Sequence, residues 1–61
     1  MKRHALVAHL RKHGCTLVRE GAKHSWFANA KTGVHSAVPR HREVVDFLVR
    51  KICRELGIPL P

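Results

Sequence analysis

The chain has 61 residues, of which 12 are Lys or Arg, 4 are Asp or Glu and 6 are His, for a formal net charge of +8. So short a chain has room for one domain and a small core, which excludes a two-domain enzyme, a barrel or a large substrate cavity. A hydrophobic content of 44% argues for a folded chain despite the charge, and the charge itself points to a polyanionic partner. The apolar runs fall far short of the roughly 20 residues that cross a bilayer. After Met1-Lys2-Arg3, the residues His9, Arg11 and Lys12 interrupt what would have to be the apolar part of a signal peptide. A cytoplasmic location is expected. Cys15 and Cys53 form no CxxC pair and no histidine pair has zinc-finger spacing, so both cysteines read as reduced, apolar residues, and neither a metal nor a cofactor is expected.

The first predicted element is a helix over about Lys2 to His13. Leu6, Val7 and Leu10 make a narrow apolar stripe, and Gly14 follows where a left-handed C-terminal residue is expected. A strand over Cys15 to Arg19 comes next, with Cys15, Leu17 and Arg19 assigned to one face, and Glu20-Gly21-Ala22 reads as a turn. A second strand over about Lys23 to Asn29 points His24, Trp26 and Ala28 one way and Ser25 and Phe27 the other. The loop from Asn29 to Gly33 leads into a third strand, Val34 to Val38, with Val34, Ser36 and Val38 on one face and Pro39 ending it.

The last element is a helix over about Arg42 to Leu56. Val45, Leu48, Ile52 and Leu56 recur at helical spacing, with Val44, Val49 and Cys53 widening the stripe. Glu43 and Asp46 are placed in its first turns, and Arg50, Lys51 and Arg54 toward its end, as the helix dipole favours. Gly57 and Ile58 have the character of a helix stop, followed by Pro59 and Pro61.

The order α-β-β-β-α describes a small α+β domain spanning residues 1–61, a three-stranded antiparallel sheet with both helices on one face. The other face of the sheet is left open for function. Two polar clusters bear on it: Arg19 with Lys23-His24-Ser25-Trp26, and Pro39-Arg40-His41-Arg42 directly after the last strand. Antiparallel pairing brings His24 and the Arg40–Arg42 cluster to the same end of the sheet.

This residue set suits RNA. RNA carries its own nucleophile, the 2′-hydroxyl, so a proton-transfer group and cations for the phosphate suffice. Imidazole, with an unperturbed pKa of about 6.5, moves protons near neutrality. Arg and Lys stabilise the charge that builds on phosphorus, and Trp26 offers a ring on which an unpaired base can stack. His41 and Ser25 are candidate second groups. His9 and His13, four residues apart, more simply decorate a helix face, and His35 has no special claim from its position. Glu43 and Asp46 need no role beyond a helix start.

Several short motifs, in order and in spacing, resemble HicA-type toxins, the small RNA-cleaving components of bacterial type II toxin–antitoxin systems. They are Leu10-Arg11-Lys12-His13-Gly14 at the end of the first helix, Leu17-Val18-Arg19, Ala22-Lys23-His24-Ser25-Trp26-Phe27, Thr32-Gly33, Val38-Pro39-Arg40-His41, and Arg50 to Ile58. The resemblance covers nearly the whole chain. It implies a fold like that of a double-stranded-RNA-binding domain, His24 as the catalytic histidine, and a HicB-type antitoxin covering the active face. Three positions depart from the family pattern: Ala22-Lys23 stands where Gly-Ser is commoner before the histidine, and Cys15 where an aromatic is frequent.

The function expected on these grounds is that of an mRNA-cleaving, metal-independent endoribonuclease toxin. His24 is its catalytic residue, and Arg19, Lys23, Trp26, Arg40, His41 and Arg42 bind RNA. The alternative is an RNA-binding module of the same fold without cleavage; a third reading makes the basic face a docking surface for an acidic antitoxin.

Overall fold

A computed structural model describes all 61 residues. Its order is α1 (Arg3–Lys12), β1 (Cys15–Glu20), β2 (His24–Asn29), β3 (His35–Pro39) and α2 (Asp46–Leu56), the α-β-β-β-α order expected from the sequence. The three strands form one antiparallel sheet in the order β1-β2-β3.

Helix α1 lies within a residue of its predicted span at each end and buries Leu6 and Leu10 completely. Gly14, with φ of 82°, turns the chain into β1; an L side chain there would be strained. The sheet then alternates as a pleated strand must. On its inner face lie Cys15 beside Asn29, Leu17 beside Phe27 and Ser36, and Glu20 beside Ser25 and Val38. On its outer face lie Thr16 beside Ala28 and His35, Arg19 beside Trp26 and Ala37, and His24 beside Pro39.

Arg19 does not share a face with Cys15 and Leu17, as plain alternation had it. The register slips between Leu17 and Arg19, a bulge that leaves Val18 without a partner and re-aims Arg19 onto the outer face. Val34 also departs from expectation. It precedes β3, is exposed, and contributes its carbonyl to Asn29 N–H at 2.9 Å rather than a side chain to the core.

Helix α2 starts at Asp46, four residues later than the apolar pattern suggests. The intervening residues are claimed by the N-terminus. Arg42 carbonyl accepts from Arg3 N–H at 2.8 Å, Val44 N–H donates to Met1 carbonyl at 2.8 Å, and the Met1 ammonium donates to Val44 carbonyl at 3.0 Å. Lys2 and Glu43 form an isolated antiparallel bridge, with their side chains 3.6 Å apart. Glu43 is therefore not in the helix, and Val45 is an exposed cap, while Val44 goes into the core.

At its far end α2 stops as expected. Gly57 adopts φ of 69°, Ile58 N–H reaches Cys53 carbonyl at 3.0 Å and Gly57 N–H reaches Arg54 carbonyl at 3.2 Å, the double closure of a Schellman motif. The last carbonyl, on Leu56, accepts from Asn29 Nδ2 at 2.8 Å and so ties α2 to the end of β2. Leu6, Leu10, Cys15, Phe27, Val38, Val44, Val49, Ile52, Cys53 and Leu56 form one core between the helices and the sheet's inner face.

Candidate functional site

Because both helices pack on the inner face, the outer face of β2 is the middle of an uncovered surface. His24 opens this strand and is exposed; Trp26 follows on the same face, half-buried. The strand exists here because Trp26 and Phe27 are good β formers, and because Ser25 is drawn inward by polar partners. Ser25, only 2% exposed, accepts from Arg3 Nη2 at 2.9 Å and donates to Glu20 Oε1 at 2.5 Å. With Ser25 held inward, pleating turns His24 and Trp26 out.

The turn before His24 is clamped. Gly21 N–H donates to the His24 carbonyl at 2.8 Å, and Arg40 Nη2 donates to Gly21 carbonyl at 2.6 Å and to Glu20 Oε1 at 3.1 Å. Arg3 adds a further tie through Nε to the Pro39 carbonyl at 2.9 Å. The Ser25 hydroxyl foremost holds the Glu20 carboxyl below its ordinary range; desolvation opposes it, and the charges of Arg40 and Arg3 add to the lowering. Gly21 is needed for closeness. A Cβ there would lie 3.2 Å from the His24 carbonyl oxygen and 3.8 Å from Trp26 Nε1, so the indole reaches back toward the turn.

Two open depressions flank His24 along the chain. One, of about 450 Å³, is lined by Ala22, Lys23, Arg40 and His41. The other, of about 390 Å³, is lined by Val18, Arg19, Trp26 and His35. In the second the Arg19 guanidinium carbon stands 6.0 Å from the centre of the Trp26 ring, within cation–π range.

Of the residues singled out from the sequence, Lys23, Arg40 and His41 come together at one end of the sheet, and Arg19 and Trp26 come together on its outer face. Arg40 arrives with its guanidinium engaged by Glu20 and Gly21. Arg42 lines neither depression; it is exposed on the connection to α2, where its backbone serves α1. His41 is exposed and Ser25 is buried under the sheet, so Ser25 supports the site from behind.

Two residues of this region escaped the sequence reading. His35 joins Trp26 and Arg19 on the outer face, and the alternation of Ser36 and Val38 already contained that placement. Glu20 is the hub of the clamp; only its register opposite Ser25, set by the bulge, reveals it.

The charge pattern is uneven. Glu43 pairs with Lys2, Glu55 pairs with Lys51 and accepts from Ser36, Glu20 faces Arg40 and Ser25, and Asp46 opens α2. These are the 4 acids of the chain, and none lies on the outer face of the sheet.

The sequence model of the HicA toxins of bacterial toxin–antitoxin systems matches residues 3–58. The chain belongs to the HicA toxin family. That match runs from the first residue of α1 to Ile58, the residue that closes α2, and so takes in every element of the fold. No curated protein and no solved structure gives a match. As a HicA toxin the chain is the toxin component of a toxin–antitoxin system, which implies an antitoxin partner. No helix is long and apolar enough to cross a membrane.

Proposed function

We propose that this HicA chain is an endoribonuclease that cleaves mRNA on the outer face of its sheet, with His24 as the proton-transfer residue. One observation carries the reading: an exposed imidazole, a half-buried indole and an arginine share a sheet face that holds no carboxylate. Such a face attracts phosphate and gives a base a ring to stack on.

In this reading the 2′-hydroxyl attacks the adjacent phosphorus and the 5′-oxygen of the next nucleotide leaves. His24 takes the proton from the hydroxyl or supplies one to the leaving oxygen. Lys23 and Arg19, neither of them ion-paired, stabilise the charge on the phosphoryl oxygens. Trp26 stacks a neighbouring base, with His35 at the edge of the same depression. Arg40 acts through the turn that it holds. A HicB-type antitoxin would restrain the toxin by covering this face, and acidic groups on it would complement the exposed cations.

The test is cleavage of RNA in the presence of EDTA by the unaltered chain and by His24→Ala. Loss of cleavage with retained RNA binding is expected for His24→Ala. Equal cleavage by both removes His24 from the reaction. Salt-sensitive binding by the unaltered chain, with the RNA left intact, would favour the non-catalytic module.

A further inference from the structure

Helix α2 carries a second feature that the sheet face does not use. Phe47 is 69% exposed, the most exposed of the large hydrophobic side chains. Three, four and seven residues further on stand Arg50, Lys51 and Arg54, all exposed, and with Phe47 they line one open depression of about 500 Å³. At about 100° per residue these four fall on one side of the helix. They lie opposite Val49, Ile52, Cys53 and Leu56, the side buried in the core. Lys51 reaches Glu55 Oε2 at 3.9 Å, whereas Arg50 and Arg54 have no ion-pair partner. Neither packing nor helix propensity calls for a phenyl ring at position 47, since Phe is only a middling helix former.

We propose that the outer side of α2 is a second contact surface for single-stranded RNA, Phe47 presenting its ring to a base while Arg50, Lys51 and Arg54 hold phosphates. A ring interleaved with cations along one track is the arrangement by which sequence-tolerant single-strand binders work. An acidic protein segment suits this surface less well. Docked helices and strands seat apolar anchors in pockets, and here Phe47 is the one apolar residue of the depression. The helices and the sheet's outer face are on opposite sides of a molecule whose shortest extent is 16 Å. A strand that touches both must pass round an edge, so α2 adds affinity for long RNA and little for short pieces. This surface stands whether or not His24 cleaves.

The experiment exploits the single tryptophan of the chain, Trp26. In the unaltered chain, indole emission reports the sheet face. In a Trp26→Phe/Phe47→Trp variant it reports α2. The probe is 2′-O-methyl oligouridylate of about 20 nucleotides, longer than the roughly 4–16 that one site occupies. Lacking a free 2′-hydroxyl, it cannot be cut. The proposal expects the α2 indole to be quenched in a salt-sensitive way, and Arg50→Gln/Arg54→Gln to abolish the quenching.

In the unaltered background the same pair of arginine changes lowers the log–log salt slope of binding by about 1.4, from roughly 0.7 per phosphate contact. Phe47, Arg50 and Arg54 are all exposed, so helix content by circular dichroism stays unchanged in these variants. Trp26 quenching without α2 quenching, or an unchanged salt slope, overturns the proposal and leaves the sheet reading standing. Quenching at α2 by polyglutamate but not by the oligonucleotide overturns it in favour of a protein partner. Quenching at α2 with Trp26 silent and no cleavage of RNA upholds it and sinks the sheet reading instead.

Discussion

Replacing Asn29 tests how the sheet and α2 are joined. Its Nδ2 donates to the Leu56 carbonyl at 2.8 Å, and both residues are buried, at 6% and 0% exposure. Its Oδ1 accepts from Lys31 N–H at 2.9 Å, nearer the surface. In Asn29→Ala the Lys31 amide can turn to water at small cost. The Leu56 carbonyl is the last of α2 and has no other partner, because Ile58 and Gly57 already serve Cys53 and Arg54. A lost buried hydrogen bond that leaves its acceptor unsatisfied costs about 1–3 kcal/mol. Set against a total stability of roughly 3–9 kcal/mol for a chain of this length, about 2 kcal/mol is a large share.

At about 4–8 °C per kcal/mol, the melting midpoint should fall by about 10 °C. Asn29→Asp should cost more near pH 7. It sets a carboxylate against a carbonyl at the negative end of the helix dipole. Folding then raises that carboxyl's pKa above its unfolded value, so the penalty is present at neutral pH and relieved as pH falls. The assay is urea unfolding followed by circular dichroism, run at pH 7 and again in mild acid. A loss below about 0.5 kcal/mol for Asn29→Ala, or an Asn29→Asp penalty that does not shrink in acid, would refute the reasoning.

The Glu20 carboxyl, held low by the Ser25 hydroxyl, Arg40 and Arg3, contributes stability that is present above its unfolded pKa and lost as pH falls through the folded value. Melting midpoints of Glu20→Gln should therefore depend less on pH below about 4.5, the ordinary value for the group. Arg40→Gln should slow RNA cleavage by loosening the turn before His24 while leaving the salt slope of RNA binding unchanged, whereas Lys23→Gln should lower that slope by about 0.7; binding titrations at several salt concentrations separate the two. Gly57→Ala should cost about 1 kcal/mol in urea unfolding, all of it from the backbone, since φ is 69° and an added Cβ meets no atom within 4 Å.

The sequence carries the element order plainly because local signals agree with one another. Gly14, Gly33 and Gly57 stand where the backbone needs positive φ, and the Ile52–Leu56 spacing faces the core. What it hides comes from long-range pairing. The start of α2 is delayed because Met1 and Arg3 hydrogen-bond with Arg42 and Val44, partners some 40 residues away in the chain. The Val18 bulge reverses the face of Arg19, and nothing in Leu17-Val18-Arg19 marks a bulge. Of the site, His24 and Trp26 are readable from alternation along one strand, and His35 equally so. The engagement of Arg40 by Glu20 is not, because it depends on where two long side chains meet across a turn.

Cys15 and Cys53, on β1 and α2, have no exposed surface and sit in one core. Burial pushes both thiols up from their ordinary pKa, and Cys53 is raised further by Cys15. Since the thiolate is the species that reacts, an alkylating reagent must wait until the fold opens. The chain thus contains two internal clocks, one in the sheet and one in the last turns of the closing helix. Equal labelling rates at the two would mean that sheet and helix come apart as one cooperative unit. Faster labelling of Cys53 would mean that α2 peels away first while the sheet endures.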